Sequence, residues 1–411
     1  MSVTGGWQQF DVMIIGGGIA GLWTSARLRR LGYSTVIVES RALGSGQTIW
    51  SQGIIHGGLK YALTGEASGA SRAIALMPEI WRECMAGRGE VDLSSVVTLS
   101  EHQWLWSTPG LVSRIAAAAA SRAIRTPVEK VERERWPGVF GGAAKGVDVY
   151  RVGEPVLATA SVVSALRGQC GPVVRVKGDS IRIERTGGQV GLHAVGHDGV
   201  AVVMAARHMV LAAGSGNAGL VRGAGLTEAD APMQMRPLHM VMIKGGEGGD
   251  LPALFGHCLG ASTVPRLTIT TANGADGAAV WWVGGGIAEE GNARSGAEQI
   301  AAAKKELAAC LPWVDLGRAR WSTGRIDRAE GLSDGGKRPD EPVLRACGEV
   351  SVIWPTKFAF APRAAELVSA RVVEAVGPGR GERGLEAGST SAESAAVAVA
   401  PWDEPEREWT A

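Results

Sequence analysis

Apolar residues in this chain fall into two recurring patterns. Short unbroken apolar runs, such as 12–15, 35–38 and 350–354, predict strands buried on both faces. Elsewhere the apolar positions recur at helical spacing. Over 22–31, Ala26, Leu28 and Leu31 share one side and Arg27, Arg29 and Arg30 the other, with Gly32 as the stop. Further helices are predicted over 71–84, 111–124, 159–167, 296–311 and 362–376. Strands are predicted over 96–99, 103–106, 126–131, 181–184, 191–195 and 200–204, and a buried strand from 208 runs into the small-residue turn 211–217. A second sheet is predicted from 237–243, 267–271, 280–284 and 321–327. From 377 onward glycine, serine, alanine, glutamate and proline dominate, which predicts a disordered tail. No internal repeat is visible.

The first of these strands leads into Gly16-Gly17-Gly18-Ile19-Ala20-Gly21, and the strand 35–38 ends at Glu39. The order strand, glycine turn, helix, strand, acid is what holds an ADP-containing cofactor. Gly16 permits the tight turn, Gly18 lets backbone approach a pyrophosphate, and Gly21 lets the helix sit close to the strand. Free N–H groups and the helix dipole favour an anion there, with Ile19 and Ala20 opening the helix. Glu39 lies at the spacing of an acid that accepts from ribose hydroxyls, and its charge argues against a 2′-phosphate. FAD and NAD both use this fingerprint, so the turn alone does not separate them.

Composition narrows the class without naming the chemistry. The chain has 411 residues, 45% hydrophobic and 20% charged, enough for two globular domains. Its net charge of +1 provides no field for nucleic acid. No apolar run spans a bilayer and no secretory leader is evident, so the expected compartment is the cytoplasm, with peripheral membrane association left open. Five scattered cysteines form no CxxC pair and read as free thiols. No metal-ligand spacing or nucleophile elbow is present.

Four more passages join the opening fingerprint: Gln47-Thr48 with Ser51-Gln52-Gly53-Ile54-Ile55-His56-Gly57-Gly58, Glu154-Pro155 before a helix, Leu211-Ala212-Ala213-Gly214, and the strand–turn–helix from Trp354 to Pro362. Together they resemble the D-amino-acid-oxidase-type superfamily of FAD-dependent oxidoreductases across roughly 10–375. The stretch Ile55-His56-Gly57-Gly58-Leu59-Lys60-Tyr61 is similar to passages in L-2-hydroxyglutarate oxidases and FAD-dependent glycerol-3-phosphate dehydrogenases. The resemblance implies FAD as cofactor. It also implies an α/β architecture: a Rossmann-like, glutathione-reductase-type FAD domain interleaved with an α+β substrate domain on a mixed or antiparallel sheet. The expected FAD domain is 1–66, 151–225 and 325–376, the substrate domain 67–150 and 226–324, and the tail 377–411.

The expected cofactor contacts are Gly16, Gly18, Ile19, Ala20, Gly21, Glu39 and Ser40 at the adenine half. Gln47, Thr48, Ser51, Gln52, Gly53, Ile181, Ala213 and Gly214 follow, then Pro355, Thr356, Lys357 and Phe358. Where the family places a Gly-x-Gly-type turn, this chain has Pro355-Thr356-Lys357, in which Thr356 is expected to cap the helix. Lys357 is a cation placed to stabilise an anionic reduced flavin, so it joins the catalytic candidates. His56 is the candidate base. Arg325 and Arg328 are the candidate carboxylate forks, with Arg236 and His239 as weaker options. Tyr61 and the tryptophans Trp281, Trp282 and Trp354 are possible pocket walls. The expected activity is oxidation of a small amino acid or 2-hydroxy acid by hydride transfer to FAD, with O2 or a quinone as electron acceptor. The alternatives are a glycerol-3-phosphate-type dehydrogenase passing electrons to quinone and a flavin-binding protein without turnover.

Overall fold

A computed structural model describes residues 8–58, 69–107, 128–144, 146–246, 251–260, 262, 264–333, 338–381 and 395–411. The expected helix over 111–124 and the Leu59-Lys60-Tyr61 stretch lie outside the described residues. Two eight-stranded sheets carry the architecture. In the first, β1 (Gln8–Ile15) pairs in parallel with Ala201–Leu211 on one side and with β2 (Thr35–Glu39) on the other. Val350–Trp354 and Val173–Arg175 extend the parallel array at its two sides. Antiparallel strands Val343–Cys347, Gln189–Val195 and Arg182–Thr186 complete it.

Both faces of this sheet are covered, which explains the unbroken apolar runs. Val12, Ile14 and Ile37 pack on one side with Leu22, Trp23 and Val368 of the helices α1 (Ile19–Arg30) and Ala361–Val376. Met13, Ile15, Val36 and Val38 pack on the other with Met204, Met209 and Val352. Neither face of the central runs meets water, so both are apolar; the polar side chains that the strands do bury are partnered, Asp11 with Ser34 and His208 with Ser351.

The second sheet runs in the order Arg320–Gly331, Met233–Lys244, Ala279–Gly284, Leu267–Asn273, Gly256–Leu259, Gln103–Ser107, Val149–Val152 and Val128–Val131. It is antiparallel apart from the Gly256–Leu259 pairing with Gln103–Ser107, so it is mixed. Two expected domain boundaries move: positions 151 and 325 each fall inside a strand of this sheet. Trp281 and Trp321 fill its core with Trp106 and Phe140. Trp281, Trp282 and Trp354 are therefore buried packing residues, not pocket walls. The helix Gly296–Cys310 closes that core and starts on a capping box between Ser295 and Glu298.

Residues 395–411 do not form the disordered tail expected from 377 onward. Val397 bridges Leu43 beside the first sheet, and Thr410 bridges Trp321 in the second. Among the described residues no helix is long and apolar enough to cross a membrane.

Candidate active site

The first sheet ends in a turn that only glycine satisfies. Gly16 has φ +116°, and a Cβ there would stand 2.5 Å from the Ala212 carbonyl oxygen. A Cβ on Gly21 would run into the Gly16 carbonyl, so the helix and the turn touch backbone to backbone. The N-terminus of α1 then opens on a cavity, with no acid in its first turn and no side-chain cap from Gly18. Thr48 Oγ1 accepts the Ile19 N–H at 3.0 Å. Glu39 also lines this end, with Oε2 accepting from Gly17 N–H at 2.6 Å and Oε1 from Ser40 and Arg41 N–H at 2.8 and 2.7 Å. Oε2 therefore keeps a lone pair for a hydroxyl.

The cavity has a volume of about 1140 Å³ and runs from this turn to the second sheet. It gathers most of the expected contacts: Gly16, Gly18, Ile19, Ala20, Glu39, Ser40, Gln47, Thr48, Ser51, Gln52, Ile181, Ala213, Gly214, Pro355, Thr356, Lys357 and Phe358 all line it. Gly21 and Gly53 do not. Gly21 is the helix contact just described. Gly53 has φ +69°, and a Cβ on it would strike the Leu157 carbonyl, so it shapes the loop from behind. Two side chains of that loop reach the second sheet. Gln52 Nε2 donates to the carbonyls of Thr268 and Trp282 at 3.0 and 2.8 Å, and Gln47 Oε1 accepts the Ala329 N–H at 3.1 Å.

The turn 355–357 differs from its expectation. Thr356 has φ +61°, the one positive φ outside glycine among the described residues. Lys357 N–H donates to the Pro355 carbonyl at 2.6 Å, and the Thr356 hydroxyl donates to the Glu341 carbonyl at 3.0 Å. Thr356 therefore does not cap the helix. A 3-10 turn, Phe358–Phe360, precedes Ala361–Val376 instead. A strained non-glycine turn in a cavity wall is the kind of feature that function retains.

The cavity floor is one face of the second sheet. Arg236, Leu238 and Met240 alternate along Met233–Lys244 and oppose Arg328, Ile326 and Gly324 in register. Charge therefore stands at one end of the floor and apolar surface follows it. At the other side, His257 opposes Thr268 across the strand pair, and its Nδ1 lies 2.8 Å from Thr268 Oγ1. His56 stacks on His257 with ring centroids 5.9 Å apart. Burial, with the neighbouring His56 second, pushes His257 down to about 3, so it is neutral in ordinary buffers. His56 is half-buried, and its Nδ1 stands 3.5 Å from Oε2 of the buried Glu154. Glu154 also accepts from Gly57 N–H at 2.6 Å and Gln103 Nε2 at 3.2 Å.

At the charged end, Arg236, Arg328 and Arg338 meet Glu289 and Glu330. Glu330 is completely buried, 3.7 Å from Arg236 Nη1 and 3.3 Å from Arg338 Nε. Arg328 Nε donates to the Arg236 carbonyl at 3.3 Å, and its Nη2 lies 3.5 Å from Glu289 Oε1. Burial, and then the nearby Arg338, hold the Arg328 guanidinium down at about 10. Arg325 is at the rim beside Asp327, donating to the carbonyls of Asn292 and Arg294. His239 is buried away from the cavity, its Nδ1 3.0 Å from the Gly291 carbonyl.

Comparison with known proteins gives this geometry a family. Residues 11–371 match the DAO family model, described as FAD dependent oxidoreductase. The chain belongs to the DAO family of FAD-dependent oxidoreductases. A relative, the probable FAD-dependent oxidoreductase PA4991 of Pseudomonas aeruginosa, is 46% identical over 366 residues, covering 89% of this chain and 91% of that one. The crystal structure of PA4991 superposes with a TM-score of 0.80 at 40% identity, over 97% of this chain and 99% of that one. Glycine oxidase from Geobacillus kaustophilus shares the fold at 16% identity and a TM-score of 0.62, over 89% and 95% of the two chains. L-alpha-glycerophosphate oxidase from Mycoplasma pneumoniae, solved with FAD bound, shares it at 12% and 0.61, over 89% and 95%. FAD is thus the cofactor of this DAO-family oxidoreductase. The glycine turn and the acid-free helix N-terminus facing one continuous cavity suit its diphosphate.

Sequence reasoning missed Arg338, Glu289, Glu330, His257 and Trp50, which tertiary packing brings together from distant parts of the chain. Arg236, Leu238 and Met240 did carry a local signal, namely period-two spacing within one strand.

Proposed function

We propose that this protein oxidises a small amino acid or 2-hydroxy acid whose carboxylate binds at Arg236 and Arg328. The observation that carries this reading is the charge count at the far end of the cavity. Three guanidiniums against Glu289 and Glu330 leave one net positive charge among these five groups, and Arg325 and Asp327 at the rim offset each other; Lys357, on the adjoining wall, is assigned to the cofactor and not to the substrate. One positive charge in a partly dehydrated site matches one carboxylate better than a phosphate dianion. Leu238, Ile326 and Met240 beyond the arginines offer an apolar floor for the substrate's side chain.

The chemistry that bound FAD would supply is hydride acceptance from the substrate carbon, which would turn an amino acid into an imino acid or a 2-hydroxy acid into a 2-oxo acid. His56 takes the proton released from the substrate nitrogen or oxygen. Glu39 receives a ribose hydroxyl on the open lone pair of Oε2, and the N-terminus of α1 receives the diphosphate. Lys357 lines the same wall as the strained Thr356 and would supply positive charge there to a bound anionic flavin.

The test is an anaerobic screen of D- and L-amino acids, 2-hydroxy acids and glycerol phosphates, followed by bleaching of the flavin band. Bleaching by a carboxylate substrate is expected. Bleaching by phosphorylated polyols alone would overturn the carboxylate assignment, and no bleaching by any of them would overturn the activity.

A further inference from the structure

Trp50 forms part of the cavity wall, yet residues outside the cavity hold its ring. Its carbonyl accepts from Trp282 Nε1 at 3.2 Å, and the two rings meet edge to face at 5.5 Å. Behind it lies Gly324, where a Cβ would strike the indole. The guanidinium of Arg407 covers the ring, 5.9 Å from its centroid. Arg407 is itself tightly held: Nε donates to the Pro401 carbonyl at 2.8 Å, Nη1 to the Thr323 carbonyl at 2.9 Å, and Nη2 pairs with Glu404.

The segment carrying Arg407 is tied to both sheets. Leu43 N–H donates to the Ala396 carbonyl at 2.9 Å, and Ala398 N–H donates back to Leu43 at 2.8 Å. At the second sheet, Asp403 Oδ1 accepts the Ala275 N–H at 2.8 Å, and Trp402 meets Trp282 at 5.9 Å. Thr410 and Trp321 exchange backbone hydrogen bonds of 2.8 and 2.6 Å. The segment 395–411 itself lies beyond residue 371, where the family match ends.

We propose that residues 395–411 set substrate selection by fixing Trp50, with Arg407 as the positioning residue. The physical reason is simple. An indole in a cavity wall selects among substrates only if its rotamer is fixed. Gly324 gives Trp50 room but no side-chain wall, so Arg407 and Trp282 define its position. The claim about selection rests on the proposed carboxylate site, whereas the claim that the segment holds Trp50 does not.

The experiment uses the FAD-loaded full-length protein, the variants Arg407→Ala and Trp50→Ala, their double variant, and a deletion of 395–411. Hydrogen exchange over 44–54 reads the hold on Trp50 without any ligand. Titration of the flavin spectrum with acetate, pentanoate and phenylacetate reads selection. Arg407→Ala is expected to raise exchange over 44–54 at least fivefold, with FAD content retained. The phenylacetate-to-acetate affinity ratio is expected to move at least fivefold, and not to move further when Arg407→Ala is added to Trp50→Ala. Unchanged exchange in both Arg407→Ala and the deletion overturns the proposal. Raised exchange with an unchanged ratio overturns the selection role. A ratio that still moves in the Trp50→Ala background overturns action through Trp50. If no carboxylate perturbs the wild-type spectrum, the carboxylate site itself fails, and exchange alone decides whether the segment holds Trp50.

Discussion

Replacing Arg328 by methionine isolates the electrostatic part of the proposed site. The side chain is 15% exposed and has two protein partners, the Arg236 carbonyl at 3.3 Å and Glu289 at 3.5 Å. Neither contact is short, so the group is poorly compensated for its burial and gains most from an incoming anion. A charge-assisted hydrogen bond is worth about 1.5–3 kcal/mol. Losing it lowers kcat/KM by roughly 10- to 150-fold, at 1.4 kcal/mol per tenfold. The charge count falls from one positive to zero at the same time, which places the expectation near the upper end. The loss should appear mainly in KM, since the carboxylate is not the reacting centre. The assay is anaerobic stopped-flow reduction of the flavin by the best acid from the screen and by its uncharged amide. The acid should lose on the order of 100-fold while the amide changes little. Equal losses for acid and amide, or a change under threefold for the acid, would refute the assignment.

Glu154→Gln should slow flavin reduction about tenfold or more in the wild type, yet add nothing to His56→Asn; additive losses would show that Glu154 does not act through His56. Gly53→Ala, at φ +69° and against the Leu157 carbonyl, should cost about 1–3 kcal/mol in urea unfolding, and an unchanged midpoint would deny the strain. Glu39→Arg should weaken FAD binding as measured by equilibrium dialysis, because it removes the hydroxyl acceptor and three backbone contacts of the turn. His208 and His257 are held at about 4 and about 3 by burial, so the unfolded chain takes up protons below about 6.5 while the folded chain does not. Stability should therefore fall as pH drops from 7 toward 4, by up to about 1.4 kcal/mol per pH unit for each histidine, and His208→Gln should flatten the urea-midpoint profile.

The adenine half of the site was legible in the sequence because its determinants are consecutive. The turn at Gly16–Gly21 and the acid at Glu39 lie within one β-α-β unit, where strand burial and glycine geometry act locally. The charged end was only partly legible. Arg328 could be singled out from its position in the chain, but its meaning comes from pairing opposite Arg236, ninety-two residues away. Glu330 looks like any strand-edge acid in the sequence; the tertiary fold puts it between Arg236 of the neighbouring strand and Arg338 of a loop. The disorder expected over 395–411 failed for a different reason. The segment's composition is that of disorder, but Val397, Trp402 and Arg407 each find a preformed partner, and composition counts residues without knowing their partners.

The same register explains why fold likeness does not choose between carboxylate and phosphate. Glycine oxidase and L-alpha-glycerophosphate oxidase superpose about equally well, so the shared scaffold is neutral on the substrate. What differs between chemistries on one scaffold is which side chains project from the floor, and how their charges sum. Here two adjacent strands bring Arg236 and Arg328 together, and Glu330 and Glu289 remove most of the excess charge. A floor meant for a dianion would not need a completely buried carboxylate between two of its arginines. For the proposed carboxylate site, Glu330 thus discriminates between the two substrate classes more than any of the arginines does. In the proposed site it offsets one of the three guanidinium charges, 3.7 Å from Arg236 Nη1 and 3.3 Å from Arg338 Nε.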